Sequence, residues 1–142
     1  AQARRVYHMM TLGHLRQSWD ATIAAFAVAA DDAQKFVEFV SVVFSRQPEF
    51  ANEAWKDKTQ TEFHALLAEF ALSATDITDK ASFIEQLNSE EVYAAARIPA
   101  RFATVRGVWS TPTVFINGAE ATMISSGSSL SDWQAVIDPL LG

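Results

Sequence analysis

Apolar residues recur along this chain at two different periods, and the switch between them divides it. From Arg16 the spacing is helical: Trp19, Ile23, Phe26 and Ala30 stand three and four residues apart and predict an amphipathic helix. The pair Asp31–Asp32 is an N-terminal signal for a second helix, with Phe36, Phe39, Val40, Val43 and Phe44 on one stripe. That helix is expected to end near Gln47, because the residue before Pro48 is pushed out of the helical region. Residues 49–58 read as a polar connection with two large anchors, Phe50 and Trp55. Thr59-Gln60-Thr61-Glu62 is a capping box, opening a helix with Phe63, Leu66, Leu67, Phe70 and Ala71 inward. Asp79 caps a short helix carrying Phe83, Ile84 and Leu87, and Ser89 caps a longer one from Glu90 to about Ala103. Glu90 and Glu91 suit the dipole of that last helix, while Pro99 within it predicts a kink or break at Ile98.

The two ends of the chain read as extended. Val6, Tyr7, Met9, Met10 and Leu12 precede Gly13, which predicts a strand over 4–10. Residues 113–116 are β-branched and aromatic, Asn117-Gly118 is a strong type I′ turn signal, and 119–124 can return as the partner strand. A serine-rich loop over 125–129 leads into Ser129-Leu130-Ser131-Asp132, a second capping box, and a terminal helix with Trp133, Val136, Ile137 and Leu140. There is no internal repeat and no linker. The order strand, five helices, hairpin, helix predicts an α/β or α+β domain rather than a bundle.

Composition narrows the chemistry more than the fold. The 142 residues are 49% apolar, one domain's worth, able to bury roughly two-thirds of the unfolded surface. A net charge of −6 disfavours nucleic acid and anionic membranes, whose affinity comes from clustered Lys and Arg. No stretch approaches the ~18 consecutive apolar residues of a membrane span. Cysteine is absent, which removes disulfides, thiolate catalysis and zinc-thiolate or iron–sulfur sites from these residues, and a chain without thiols suits any redox compartment. His8, His14 and His64 fall on separate elements without HExxH or i,i+4 spacing, so they read as surface or core histidines and not as metal ligands. There is no GxSxG elbow, and Gly107, Gly118 and Gly127 make no phosphate loop. Helix dipoles account for the acidic pairs, and core packing for the aromatic stripes Phe36/Phe39/Phe44 and Phe63/Phe70. No metal and no cofactor is implied.

One segment is more specific: Arg106-Gly107-Val108-Trp109-Ser110-Thr111-Pro112-Thr113-Val114-Phe115-Ile116-Asn117-Gly118. Its proline closes a bend directly before a strand. Only ~5–6% of X–Pro bonds in folded proteins are cis, so composition leaves open both a cis bond and an ordinary proline opening a strand. The stretch 107–120 resembles the cis-proline loop and following hairpin of thioredoxin-fold proteins of the DsbA-like kind, of the form G-V-x-x-T-P-T-x-x-x-N-G. Gln47-Pro48-Glu49-Phe50, the helix start at Lys58-Thr59 and the terminal helix from Ser131-Asp132-Trp133 to Leu141 extend the resemblance over most of 4–141. The resemblance implies an α/β thioredoxin-like fold across 1–142 with a DsbA-type helical insertion at about 15–104. It implies that Pro112 is the cis-proline, and that Val108, Trp109, Ser110 and Thr111 form the loop that in family members faces the redox motif and pairs its backbone with an extended peptide.

The departure from the family is equally specific. Family members carry a first strand and a CxxC-type motif ahead of a strand like 4–10, whereas this sequence opens Ala1-Gln2-Ala3 and begins at that later strand. The domain is therefore expected to be N-terminally incomplete, since the missing strand lies centrally in the family's sheet and its loss would leave unpaired backbone on both neighbours. Three arrangements answer this: upstream residues in the parent protein (the favoured one), a strand from another chain, or direct closure of the flanking strands. Two functions follow. One is the C-terminal part of a DsbA-like thiol–disulfide oxidoreductase, redox-inert as given because nothing here supplies a thiolate. The other is a non-catalytic thioredoxin-fold scaffold or partner-binding subunit. The partners implied are a peptide or protein at the loop or an exposed strand edge, by strand exchange or oligomerisation, with no nucleic acid.

Overall fold

The computed structural model describes residues 4–30 and 32–141. Residues 1–3, Asp31 and Gly142 lie outside it, and with Asp31 goes half of the start signal read for the second helix. The elements in order are α1 (Ser18–Ala29), α2 (Ala33–Ser45), a short 3-10 helix (Gln47–Phe50), α3 (Gln60–Ala74), α4 (Lys80–Leu87), α5 (Glu90–Val105), β1 (Phe115–Ile116), β2 (Ala119–Glu120) and α6 (Leu130–Leu141).

All five predicted caps form. Asp32 accepts hydrogen bonds from the Gln34 and Lys35 main-chain N–H groups, and Asp79 from those of Ala81 and Ser82. Thr59 and Glu62 make the reciprocal box at the head of α3, and Ser89 takes the Val92 N–H at the head of α5. The box at α6 also closes, with the Ser129 N–H on Asp132 at 2.7 Å and the Asp132 N–H on Ser129 at 3.3 Å. Each cap satisfies donors that a helix start would otherwise leave without a partner.

The core lies among the helices. α1 was expected to bury a single stripe, yet Thr22, Ile23, Ala24, Ala25, Ala27, Val28 and Ala29 are all buried. Alanine explains the difference, because a one-carbon side chain lets helices approach from several sides, and α1 lies close to α2, α3, α4 and α5. Phe39, Phe63, Leu67, Phe70 and Phe83 fill the space around it. The anchors Phe50 and Trp55 pack on Phe63, with ring centroids 5.4 and 5.5 Å away.

Three expectations are corrected. The strand over 4–10 does not form, and Val6 and Tyr7 are exposed. A strand needs a ladder partner, and the only sheet among the described residues is β1 with β2. The segment instead follows α5, with His8 stacked on Phe102 at 4.8 Å, so direct closure of 4–10 on 113–116 is not the arrangement found. Pro99 does not break α5, which runs on to Val105. Proline costs the Ala95 carbonyl its helical bond, but Ala96, Pro99 and Ala103 share one face by spacing and all are buried, so packing outweighs the lost bond. Finally, α2 stops at Ser45, and Pro48 sits in the first turn of the 3-10 helix, where its missing N–H costs nothing.

The sheet is small. Phe115 pairs with Glu120 and Ile116 with Ala119, and the Ala121 N–H to the Val114 carbonyl (2.8 Å) extends the pairing by one bond. Asn117 and Gly118 both have positive φ, +51° and +84°, as a type I′ turn requires. The molecule is thus mostly helical with a two-stranded ribbon, compatible with a thioredoxin-like α/β fold.

Candidate functional site

The loop over 108–112 is built from both sides. On its N-terminal side α5 ends in a Schellman motif: Gly107, at φ +74°, donates to Thr104, and Val108 donates to Ala103, both at 3.0 Å. A left-handed residue is needed at that position, and glycine supplies it without steric cost. On its C-terminal side the Thr113 hydroxyl donates to the Ser110 carbonyl at 2.7 Å, tying the loop back across Pro112. The Thr111–Pro112 peptide bond is cis.

Arg106 joins the two sides. Its guanidinium lies 4.8 Å from the centroid of the Phe115 ring and donates to the Gly118 carbonyl in the hairpin turn. The end of α5 is thereby fastened to the ribbon, and the loop between them is held at both feet. Arg106 and Gly107 head the segment singled out in the sequence, which assigns neither of them a role. The glycine was legible as a residue just past a helix end, but Arg106 was not, because its partners lie nine and twelve positions on.

The predicted site residues fall together on this loop. Val108 is half-buried, whereas Trp109, Ser110, Thr111 and Pro112 are exposed, Trp109 at 84%. The main-chain N–H groups of Trp109, Ser110 and Thr111 make no hydrogen bond to the described residues. Next to the loop Val105 is 85% exposed, and further up α5 Ile98 and Phe102 also face outward. Residues 113–116 are half-buried. What the loop offers is therefore hydrogen-bonding backbone with apolar surroundings and no ionisable group of its own.

A family model described as thioredoxin matches residues 2–139. The chain belongs to this thioredoxin family. Comparison with curated proteins and with solved structures gave no match. In this thioredoxin-family domain the bend before the ribbon carries Thr111-Pro112-Thr113, and no cysteine occurs in the 142 residues. No thiol–disulfide step can run on these residues, since exchange requires an attacking thiolate. Among the described residues no group of His, Asp and Glu is placed to hold a metal ion, and no helix is long and apolar enough to cross a membrane. The histidines are dispersed: His8 stacks on Phe102, His14 is exposed, and His64 is buried in α3.

Proposed function

We propose that this domain, a thioredoxin-fold scaffold of the DsbA-like kind, holds an extended peptide along the loop over 108–112 and performs no thiol exchange on its own residues. The observation that carries this reading is the run of three main-chain N–H groups, Trp109 to Thr111, presented without internal partners on a loop fastened at both ends. Successive N–H groups of an extended backbone point to opposite edges, so a peptide lying along one edge brings carbonyls to alternate members of this run, and strand addition draws its affinity from such main-chain pairing. The fastening reduces the ordering cost of association. Exposed Trp109 and Val105 give the peptide's side chains apolar surface to cover.

Amide chemical shifts followed during titration with unstructured, cysteine-free decapeptides test this directly. Saturable shifts centred on 108–113 are expected. Shifts spread elsewhere, or none at millimolar peptide, overturn the reading. Ser110→Pro removes one main-chain donor and should weaken binding about fivefold, the worth of one net hydrogen bond. An insulin-reduction assay on the same chain should show no turnover.

A further inference from the structure

A second feature lies on other elements, in a cleft of about 290 Å³ between α1, α3 and the junction of α4 with α5. Asp20 of α1 and His64 of α3 line it, and their side chains are only 17% and 8% exposed. The Asp20 carboxylate receives the Gln60 side-chain amide at 3.1 and 3.2 Å, while the nearest His64 nitrogen, Nε2, is 3.7 Å away, beyond hydrogen-bonding distance. No Lys or Arg among the described residues pairs with Asp20, and neither residue type lines the cleft. The carboxylate is compensated by the two Gln60 contacts and by its place in the first turn of α1, but by no full cation from Lys or Arg. His64 is as unusual: nine-tenths buried, it makes no hydrogen bond to the described residues. Among the described residues no fully buried side-chain nitrogen or oxygen lacks a partner, so its ring nitrogens reach solvent, and the cleft is what His64 opens onto.

The rest of the lining fits one class of ligand. Trp19 and Tyr93 meet edge to face, centroids 5.5 Å apart and planes at 82°, forming two aromatic walls. Arg97 lies 5.5 Å from the centroid of the Tyr93 ring, so that ring already accepts a cation from within the protein. Glu90 adds a second carboxylate at the mouth. The N-terminus of α5 opposes this with about half a positive charge, which two carboxylates exceed. An anion is thus disfavoured, and the described residues assemble no metal-binding cluster.

The geometry points to a binding site for a small alkylammonium ion, its N–H donors on the Asp20 carboxylate beside His64, its carbon body against Trp19 and Tyr93. The ammonium supplies the full cationic partner that Asp20 lacks, and the Trp19 and Tyr93 rings cover its carbon body. The volume, near the lower end of small-molecule sites, matches a short amine. The same chemistry is carried by a free amine and by a lysine side chain.

Titration of the full chain with n-butylammonium, followed on the His64 ring and Trp19 indole resonances, provides the test. Saturable shifts are expected with n-butylammonium and none with n-butanol at equal concentration. Asp20→Asn, which keeps the shape and a partner for Gln60, should weaken binding at least tenfold. Tyr93→Leu, at a partly exposed position, should weaken it about threefold and serves if the first variant does not fold. Equal shifts with butanol, no saturation with the amine, or binding unaltered in both variants overturns the site. An acetylated lysyl peptide that binds ten times more tightly than butylammonium identifies a lysine side chain as the source; equal or weaker binding identifies a free amine.

Discussion

Several carboxylates here act as structural fasteners, and their protonation can be followed. The Thr59 main-chain N–H, and then its hydroxyl, hold the Glu62 carboxyl below its ordinary range. The Ser129 hydroxyl, followed by its main-chain N–H, does the same for Asp132. Lys35 lowers Asp76, and Arg46 lowers Glu49, in each case chiefly through a hydrogen bond. A carboxyl depressed in the folded state contributes stability that is complete above its unfolded value, about 4. That contribution is lost as pH falls through the lower folded value. Thermal denaturation should therefore show stability level near neutrality and falling below about pH 4.5. Glu62→Gln should lower stability at pH 7 and make the acid-side decline shallower. A decline of unchanged steepness would mean that the box contributes nothing through its charge.

At the scale of elements, the ribbon depends on a turn only certain residues can make. Gly118 sits at φ +84° with open space where a Cβ would be, so the cost of Gly118→Ala is conformational and not a clash. A left-handed position costs an L-residue about 1–2 kcal/mol. The substitution should reduce stability by about that amount, or fray the ribbon and release the Arg106 contact, read in chemical denaturation and in the Phe115 and Arg106 resonances. Elements whose signals are local were legible from the sequence: the caps at Asp32, Thr59, Asp79, Ser89 and Ser129, and the Asn117-Gly118 turn, all come from residues within four positions of one another. What failed depended on distant partners. Residues 4–10 carry apolar strand-like residues but meet no strand, and Pro99 is a helix breaker overruled by burial. In the candidate site, Val108 to Pro112 were legible as a motif, while the Arg106 clasp and the Asp20–His64 juxtaposition, residues forty-four apart, exist only once the chain is folded.

Across the whole molecule, stability and the proposed peptide contact reside in different places. The buried aromatic cluster belongs to α2, α3, α4 and the connection between α2 and α3, whereas α6 contributes no buried residue and the loop almost none. Phe63, 1% exposed and packed on Phe50 and Trp55, should lose about 3–5 kcal/mol on substitution by alanine. Phe102→Ala, on the outward face of α5, should cost about 1 kcal/mol or less. Equal losses at the two positions, measured by urea denaturation, would contradict a core centred on Phe63 and away from the outward face of α5.

That division reaches into the tryptophans. Trp55 is 6% exposed in the core, Trp109 is 84% exposed on the loop, and Trp19 and Trp133 lie between. An indole shielded from water emits at shorter wavelength than one surrounded by it, so the chain carries two optical reporters at opposite ends of one emission band. The blue side records whether the helices are intact, and the red side records whether Trp109 is covered. Unfolding and occupancy of the loop then move the spectrum in opposite directions, without any added label.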